Sequence, residues 1–554
     1  SIPLWANEGL AEYLSSNWDT EADMIIRDLA INERIPTVKE LEYFLAYKGG
    51  QSVWKFIAEK YGREKIGEVF QAMKRLRGAE KGFKSAIGMD YDELTEQWHK
   101  YIKKEFYPDV AGRDEVEDIA KKLTDHKKAR NVYNVSPAIS PDGGKIAFLT
   151  NNLSYFDIDL IDAVTGKKIK KLIKGSRSLD FEELKFLQPG ISWSPDSKKI
   201  VFAAKSGSGD ALYIVDIESE QKEKIPFELD GVFSATWSPQ GDKLAFVGYE
   251  KGASDIYIYD INKKTHYNLT KDIYSDSEPS WSPDGSSIAF VSDRDDAEKK
   301  SISTAQNMIS VDYESKDIYV INIETENLKQ ITSTGYNEDY PVFANTEKSL
   351  FYIADSSGTW NLFKYDLASG STSVVTNLLT GIFQLSINKY DDAMVFSGYS
   401  NRGWDVYRLN NPLDLSRVDV EPTNFVLNKD FVEKEELLDL RKDKWRGSDS
   451  NQSDYSRHIF AMEYESYNNQ NLQIEKQSTN RDTPLKDDSG SYIPQSYKTQ
   501  FSLDIAQGQY GYNNVFGHQG LLIFYFSDLM GDHQISLALE SQISLSNSDY
   551  YLNY

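Results

Sequence analysis

Residues 277–293 read SEPSWSPDGSSIAFVSD: a short run ending at Trp281, the turn Ser282-Pro283-Asp284-Gly285, then the apolar run Ile288-Ala289-Phe290-Val291. Proline presets φ, aspartate bonds back to the backbone and glycine accepts positive φ, so two short strands meet at a tight turn. The same grammar recurs along the chain as SPAISPDGGKIAFLT (136–150), PGISWSPDSKKIVFAAK (189–205), FSATWSPQGDKLAFVGY (233–249), DYPVFANTEKSLFYIAD (339–355) and FQLSINKYDDAMVFSGY (383–399). Equivalent anchors are Ile139, Trp193, Trp237, Trp281, Phe343 and Ile387, separated by 54, 44, 44, 62 and 44 residues. A module of about 44 residues with two insertions fits every step.

Each module continues into a second alternating strand (ALYIVDIE, DIYIYDIN, DIYVINIE, NLFKYDLA, DVYRLN) and a short outer strand such as LKQITS. Four short strands per repeat make a β-propeller blade, which cannot bury its faces until it stacks on its neighbours. Six anchors predict six blades over 116–410. The last blade lacks an outer strand near Asn410, whereas VEDIAKKLTDH at 116–126 has the pattern of one. This early segment is expected to return to the final blade and remove the open edge. The 62-residue step predicts a rim insertion at 294–311.

The repeated WSPDG units resemble those of TolB-like propellers, and the resemblance covers nearly 300 residues. It implies a binding module, sensor or spacer, with a protein or peptide partner at a propeller face. Some serine peptidases carry similar propellers, but no Gly-x-Ser-x-Gly nucleophile elbow follows this one.

With 554 residues and 63.2 kDa the chain exceeds one ordinary core. Lys and Arg number 62 against 86 Asp and Glu, a net charge of -24, which excludes a nucleic-acid backbone as main partner. The absence of cysteine removes disulfides, thiolate metal sites and thiol nucleophiles. No stretch of 18 apolar residues predicts a transmembrane helix; a membrane β-strand, with its weaker signal, stays open. The opening SIPLWANEGLAEYL has neither initiator Met nor signal core, leaving an upstream signal peptide or a cytoplasmic protein.

Residues 1–110 have helical period throughout, with Pro36-Thr37, Gly49-Gly50, Gly62 and Gly88 read as punctuation between helices. Within them Glu8 and Glu12 stand four apart on one helix face, a spacing that serves a surface helix start or a metal ligand backed by a further acid. PLWANEGLAEY resembles the second metal-binding element of gluzincin metallopeptidases, whose upstream HExxH helix supplies two histidines and a general base. By that resemblance Glu8 is the third zinc ligand and Glu12 the acid that orients it. The six histidines (His99, His126, His266, His458, His518 and His533) contain no pair four apart, so HExxH is absent. The expectation is therefore no catalytic residue and no cofactor in this chain. Zinc would belong to an intact parent with HExxH upstream.

Among repeat residues, Asp142, Asp196 and Asp284 are read as turn formers rather than metal ligands. Asp293, Asp295 and Asp296 are read as a solvated acidic rim whose spacing does not match an EF-hand. Trp193, Trp237 and Trp281 are read as core between blades. Residues 411–496 are rich in charged and small polar types and read as a partly disordered linker. Alternation returns over 497–554 in three strands, open to a soluble antiparallel domain. The combination of FSLD, GQYGYNNVFG, SDLMGDH and SDYYLNY resembles the start of an outer-membrane β-barrel, implying a chain truncated at both ends.

The fold class expected is thus multidomain: an all-α N-terminal part, an all-β six-bladed propeller and a C-terminal β region. The leading functional expectation is a bacterial envelope scaffold, periplasmic or associated with the outer membrane, attached to a truncated zinc-peptidase-like domain. The rivals are a noncatalytic adaptor with a degenerate peptidase domain and a carbohydrate-binding module using Tyr336, Tyr340 and Trp360.

Overall fold

The computed structural model describes residues 2–427, apart from Asn17 and loop segments of which 295–315 is the longest, together with four strands between Phe501 and Asn553. Six α-helices open the described chain: α1 (Leu4–Ser16), α2 (Thr20–Ile31), α3 (Phe44–Tyr61), α4 (Glu64–Leu76), α5 (Ala79–Ile87) and α6 (Tyr91–Phe106). Their ends follow local chemistry. Asp19 caps α2 by accepting from Ala22 N at 2.7 Å, and Asp90 with Glu93 forms a capping box on α6. Gly88 closes α5 in the left-handed region at φ 78°.

Gly49-Gly50 does not separate two helices; it lies inside α3. Helices α1 and α3 cross there backbone to backbone, and a Cβ on Gly50 would come 2.2 Å from the Trp5 carbonyl oxygen. The glycines therefore buy proximity rather than a turn, letting Trp5, Trp54 and Phe83 pack with ring centroids 5.5–6.2 Å apart.

Six blades follow, as the repeats predict, five of them four-stranded and one, blade 2, with its inner strand split in two. Blades 1, 3, 4 and 5 run in chain order from their innermost strands, Asn134–Ile139, Gly231–Trp237, Asp276–Trp281 and Glu338–Phe343. In blade 2 the inner edge is built from two pieces, Glu183–Leu184 and Ile191–Trp193, both paired with Lys199–Ser206. Blade 6 has Ile382–Ile387, Ala393–Ser400 and Gly403–Asn410 in order, and its fourth strand is Lys121–Lys122. That strand is antiparallel to Gly403–Asn410, with Lys121 opposite Arg408 and Lys122 opposite Tyr407.

The closure is fixed by one buried carboxylate. Asp405, 1 % exposed, accepts from Thr124 Oγ1 (2.8 Å), His126 N (2.8 Å) and Asn134 Nδ2 (3.1 Å). It also faces His126 Nδ1 at 2.6 Å and Lys122 Nζ at 3.1 Å. The N-terminal side of the ring, its last blade and its first blade thus meet at a single side chain.

The helices share one hydrophobic core with blades 5 and 6, running from Trp54 and Trp98 to Phe351 and Phe396. At its edge Asp28, 1 % exposed, accepts from Asn401 N (2.7 Å) and Arg402 N (2.9 Å). These two residues form the tight hairpin of blade 6, with φ 57° and 67°. Arg27, fully buried, pairs with Asp23 and with Asp109 (3.0 Å) and lies over the Phe106 ring. Thr20 Oγ1 donates to Asp355 of blade 5 at 2.6 Å.

The first part of the expected linker is built into this body: Val418 N bonds Val374 O, Thr423 N bonds Ser357 O, and Asn424 Nδ2 bonds Glu105 O. The remainder of that linker, 428–496, lies outside the described residues. The C-terminal unit has four strands where alternation suggested three: Phe501–Asn513, Gly517–Asp528, Gln534–Gln542 and Ser548–Asn553, paired in chain order. Among the described residues no helix is long and apolar enough to cross a membrane, which says nothing about strands.

Candidate functional site: the axial cavity

Repeat geometry places equivalent residues in rings around the propeller axis. Three positions before each anchor stand Ser136, Gly190, Ser234, Glu278, Tyr340 and Gln384; two positions after stand Pro141, Pro195, Pro239, Pro283, Asn345 and Lys389. Both rings line one cavity of about 390 Å³. Its described lining carries two charged side chains, Glu278 on blade 4 and Lys389 on blade 6, one on each ring.

The first ring is strained in the same way five times. Ser136, Ser234, Glu278, Tyr340 and Gln384 have φ between 47° and 61°, each within a register shift of its inner strand. A non-glycine residue in the left-handed region costs on the order of 1–3 kcal/mol and persists where the surroundings over-determine it. Here the bulge turns an amide out of its own ladder toward the preceding blade. Tyr340 N donates to Glu278 Oε2 at 2.5 Å, and Ser136 N donates to Gln384 Oε1 at 2.7 Å. Ring side chains therefore weld blade 4 to blade 5 and blade 6 to blade 1.

Electrostatically the ring is lopsided. Burial, then the neighbouring Asp339 carboxyl, pushes Glu278 up to about 8, and Lys316 opposes the shift. Asp339 is raised by its own burial, with Lys316 Nζ 3.7 Å away. Glu338 is pushed up to about 8, by burial first and by Asp317 next. The far side of the cavity, on blades 1 to 3, is lined by Ser136, Gly190, Ser234 and the tryptophans.

The anchors behave as interblade core. Trp193 Nε1 donates to Ala138 O at 2.9 Å and Trp281 Nε1 to Thr236 O at 3.3 Å, each crossing to the preceding blade. Trp237 Nε1 is buried without such a partner. Asp196 and Asp284 serve their turns: hydroxyls of Ser194 and Ser282 donate to them at 2.6 Å and hold both carboxyls below the usual range. Asp142 accepts from Ser140 Oγ and Gly144 N in the same geometry.

Glu8 and Glu12 lie half-buried on α1, remote in role from this cavity. Asn7 Nδ2 donates to Glu8 Oε1 at 3.4 Å, and Glu12 Oε2 takes the Lys48 ammonium at 2.9 Å. Lys48 also meets Asp19 (3.3 Å) and Glu21 (3.4 Å). Burial works against its charge, but these carboxylates raise its affinity for the proton overall. No group of three potential metal ligands among the described residues includes Glu8 or any histidine. One carboxylate without imidazoles does not fit a zinc centre within this chain. His99 bonds Pro36 O and His126 belongs to the ring closure.

Asp293, placed in the sequence on an acidic rim, is buried and accepts from Ser275 N at 2.7 Å. Asp295, Asp296 and the insertion from 295 onward lie outside the described residues. Asp255, Asp272 and Asp276 approach one another within 4.8 Å, yet Arg294 already supplies a cation there, 3.0 Å from Asp272 and 2.6 Å from Asp276. Of the three aromatics, Tyr336 is exposed, Tyr340 lines the cavity and Trp360 is buried against Phe383. They form no shared platform for a sugar.

One repeating feature was missed by sequence reading. Asp157, Asp210, Asp255, Asp317, Asn361 and Asp405 open the third strand of successive blades, all buried. Each accepts from the segment leaving its blade or entering the next, as in Gly175 N to Asp157, Val232 N to Asp210 and Leu378 N to Asn361. The signal was present in DIDL, DALY, DIYI, DIYV, NLFK and DVYR, where an acid or amide precedes the apolar alternation.

Comparison with known proteins follows the same lines. The TolB β-propeller domain family model matches residues 183–299, the region of blades 2 to 4. An uncharacterised protein of Bacillus subtilis (strain 168), YhcO, is 29 % identical over 121 residues, 21 % of this chain and 36 % of its own, so the match spans about a third of that relative. TolB from Acinetobacter baumannii covers 58 % of this chain and 71 % of its own at 18 % identity and a TM-score of 0.36. A putative TolB from Agrobacterium tumefaciens covers 38 % and 70 % at 21 % identity and a TM-score of 0.32. Residues 183–299 are thus a TolB-type propeller region inside a six-bladed ring that carries a helical domain.

Proposed function

We propose that this chain is a noncatalytic adaptor of the bacterial envelope, a closed propeller that holds a protein or peptide partner in its axial cavity. The observation that supports it most is the cavity itself: two repeat-built rings enclose about 390 Å³, with strained backbone at five of the six positions of one ring and its one acid, Glu278, on blade 4. The helical domain, sharing a core with blades 5 and 6, acts as a fixed attachment on the ring. In a longer parent with an upstream histidine pair, Glu8 would complete a zinc site and Glu12, tied to Lys48, would position that helix. The C-terminal strands of 13, 12 and 9 residues have the length that membrane-crossing β-strands need, which favours association with the outer membrane.

A photo-crosslinking amino acid placed at Lys389 in the cavity, or at Thr265 on an outer strand, tests the reading in living cells. Capture of a defined partner peptide from position 389 and not from 265 is expected. Capture from 265 alone moves the binding surface to the outer wall and overturns the reading.

A further inference from the structure

We propose that a proton shared between Asp317 and Glu338 fastens blade 4 to blade 5, making this junction the place where the ring loosens as pH rises. Comparing the six junctions shows why. Each blade opens its third strand with a buried acid or amide, and the acids elsewhere have a cation beside them or beside the acid they face. Asp157 has Lys171, Asp210 has Lys185 Nζ at 3.1 Å and Asp405 has Lys122 Nζ at 3.1 Å. Asp276, which adjoins Asp255, has Arg294 at 2.6 Å, and the residue in blade 5 is the uncharged Asn361. Blade 4 is the exception. Its Asp317 meets a second acid, Glu338, at the start of the inner strand of blade 5, and among the described residues neither has an ion-pair partner.

Asp317 is 8 % exposed and Glu338 2 %, and Glu338 N donates to Lys316 O at 3.0 Å across the junction. The two carboxyl groups lie within hydrogen-bonding reach of each other. Asp317 already accepts from Thr334 N at 3.1 Å and Gln330 Nε2 at 3.4 Å, and Glu338 Oε1 from Thr334 Oγ1 at 2.5 Å. Glu338 Oε2 is buried and meets no N–H or hydroxyl donor. Adjoining buried carboxylates without a cation keep one proton between them. Placed on Glu338 Oε2 it removes the repulsion and makes the hydrogen bond to Asp317. Burial foremost, with the Asp317 charge, pushes Glu338 up to about 8 against the Thr334 hydrogen bond. The other groups facing the pair do not replace that proton. Asp355 adds negative charge and is held by Thr20 Oγ1 at 2.6 Å, and burial keeps the Tyr352 phenol neutral. Lys316, next to Asp317 in the chain, serves Asp339 first and then Glu278. Glu278 is the second raised carboxyl at this junction, and the experiment separates the two.

Hydrogen exchange of the full-length chain at pH 6, 7 and 8, read by peptide and corrected for the intrinsic rate, tests this. The closed junction holds a proton that the open one releases, so opening grows with pH by up to about tenfold per unit below about pH 8. Protection in 328–343 is expected to fall by about tenfold or more from pH 6 to 8, against under about threefold in 222–237 at the Asp210–Lys185 junction. Glu338→Gln, whose amide donates to Asp317 at every pH, should flatten the response, and Glu278→Gln should keep it. An equal fall at both junctions, no fall at either, or a response that Glu338→Gln leaves intact overturns the proposal. The contrast between junctions is read on the unaltered chain, so it decides even where Glu338→Gln fails to fold.

Discussion

Replacing Asp405 with alanine removes the one side chain on which ring closure converges. The loss comprises an ion pair with Lys122, the contact with His126 Nδ1 and three hydrogen bonds from Thr124, His126 N and Asn134. Breaking a buried charge pair costs roughly 3–5 kcal/mol, and a stranded buried donor about 1–3 kcal/mol, although such terms overlap. A net weakening of about 4 kcal/mol corresponds to about a thousandfold increase in opening of the strap. Because repeat folds need not unfold in one step, hydrogen exchange with peptide-level mass spectrometry is the suitable assay. Protection should fall first and together in 121–126 and 403–410, and only afterward in the flanking blades. Asp260→Ala, at an exposed hairpin of blade 3 where Asp260 accepts from Lys263 N, should leave the strap unchanged. A loss under tenfold in 121–126, or one spread evenly over six blades, would refute the closure argument.

Further outcomes follow from other sites. Gly50→Ala should unfold the helical domain, since its Cβ would meet the Trp5 carbonyl at 2.2 Å, whereas Gly67→Ala, with nothing within 4 Å, should raise its melting temperature through helix propensity worth about 0.5–1 kcal/mol; circular dichroism melts of the two variants decide. Asp276 (about 7), Glu278 (about 8) and Glu338 (about 8) hold protons in the folded chain that the unfolded chain has released above about pH 4. Their contribution is therefore complete at low pH and declines toward pH 8, by up to about 1.4 kcal/mol per group per pH unit, so urea midpoints should drop between pH 5.5 and 8; a rise would contradict the assignment. Asp28→Ala should detach the helices from the blade 6 hairpin and speed proteolysis near Gly112, while the blades keep their exchange protection.

The blades were legible because their signal is repeated: six copies of one grammar fix strand number, order and the missing outer strand independently of any single residue. The helical domain was legible in kind but not in its joints. Gly49-Gly50 looks like punctuation in one dimension, and only the approach of α1 at Gly9 shows why glycine is required inside a helix. The contact of Asp28 with the Asn401-Arg402 turn joins residues over 370 positions apart, and no local pattern encodes it. Glu278 escaped notice because the motif around Trp281 reads as turn and core. Its role depends on a bulge and on five neighbours at the same level of the ring. Asp293 was misplaced for the opposite reason: a run of acids suggests solvent, while backbone geometry draws one of them inward to cap Ser275.

The central claim, that the axial cavity is the binding site, is tested most directly by filling it. Ser280→Trp adds an indole to a lining position of blade 4 where the inner strand already pairs with Ala289. Affinity for the partner peptide captured at position 389 should fall at least a hundredfold, with melting temperature and blade exchange protection close to those of the unaltered chain. Undiminished affinity with the cavity filled would contradict the account.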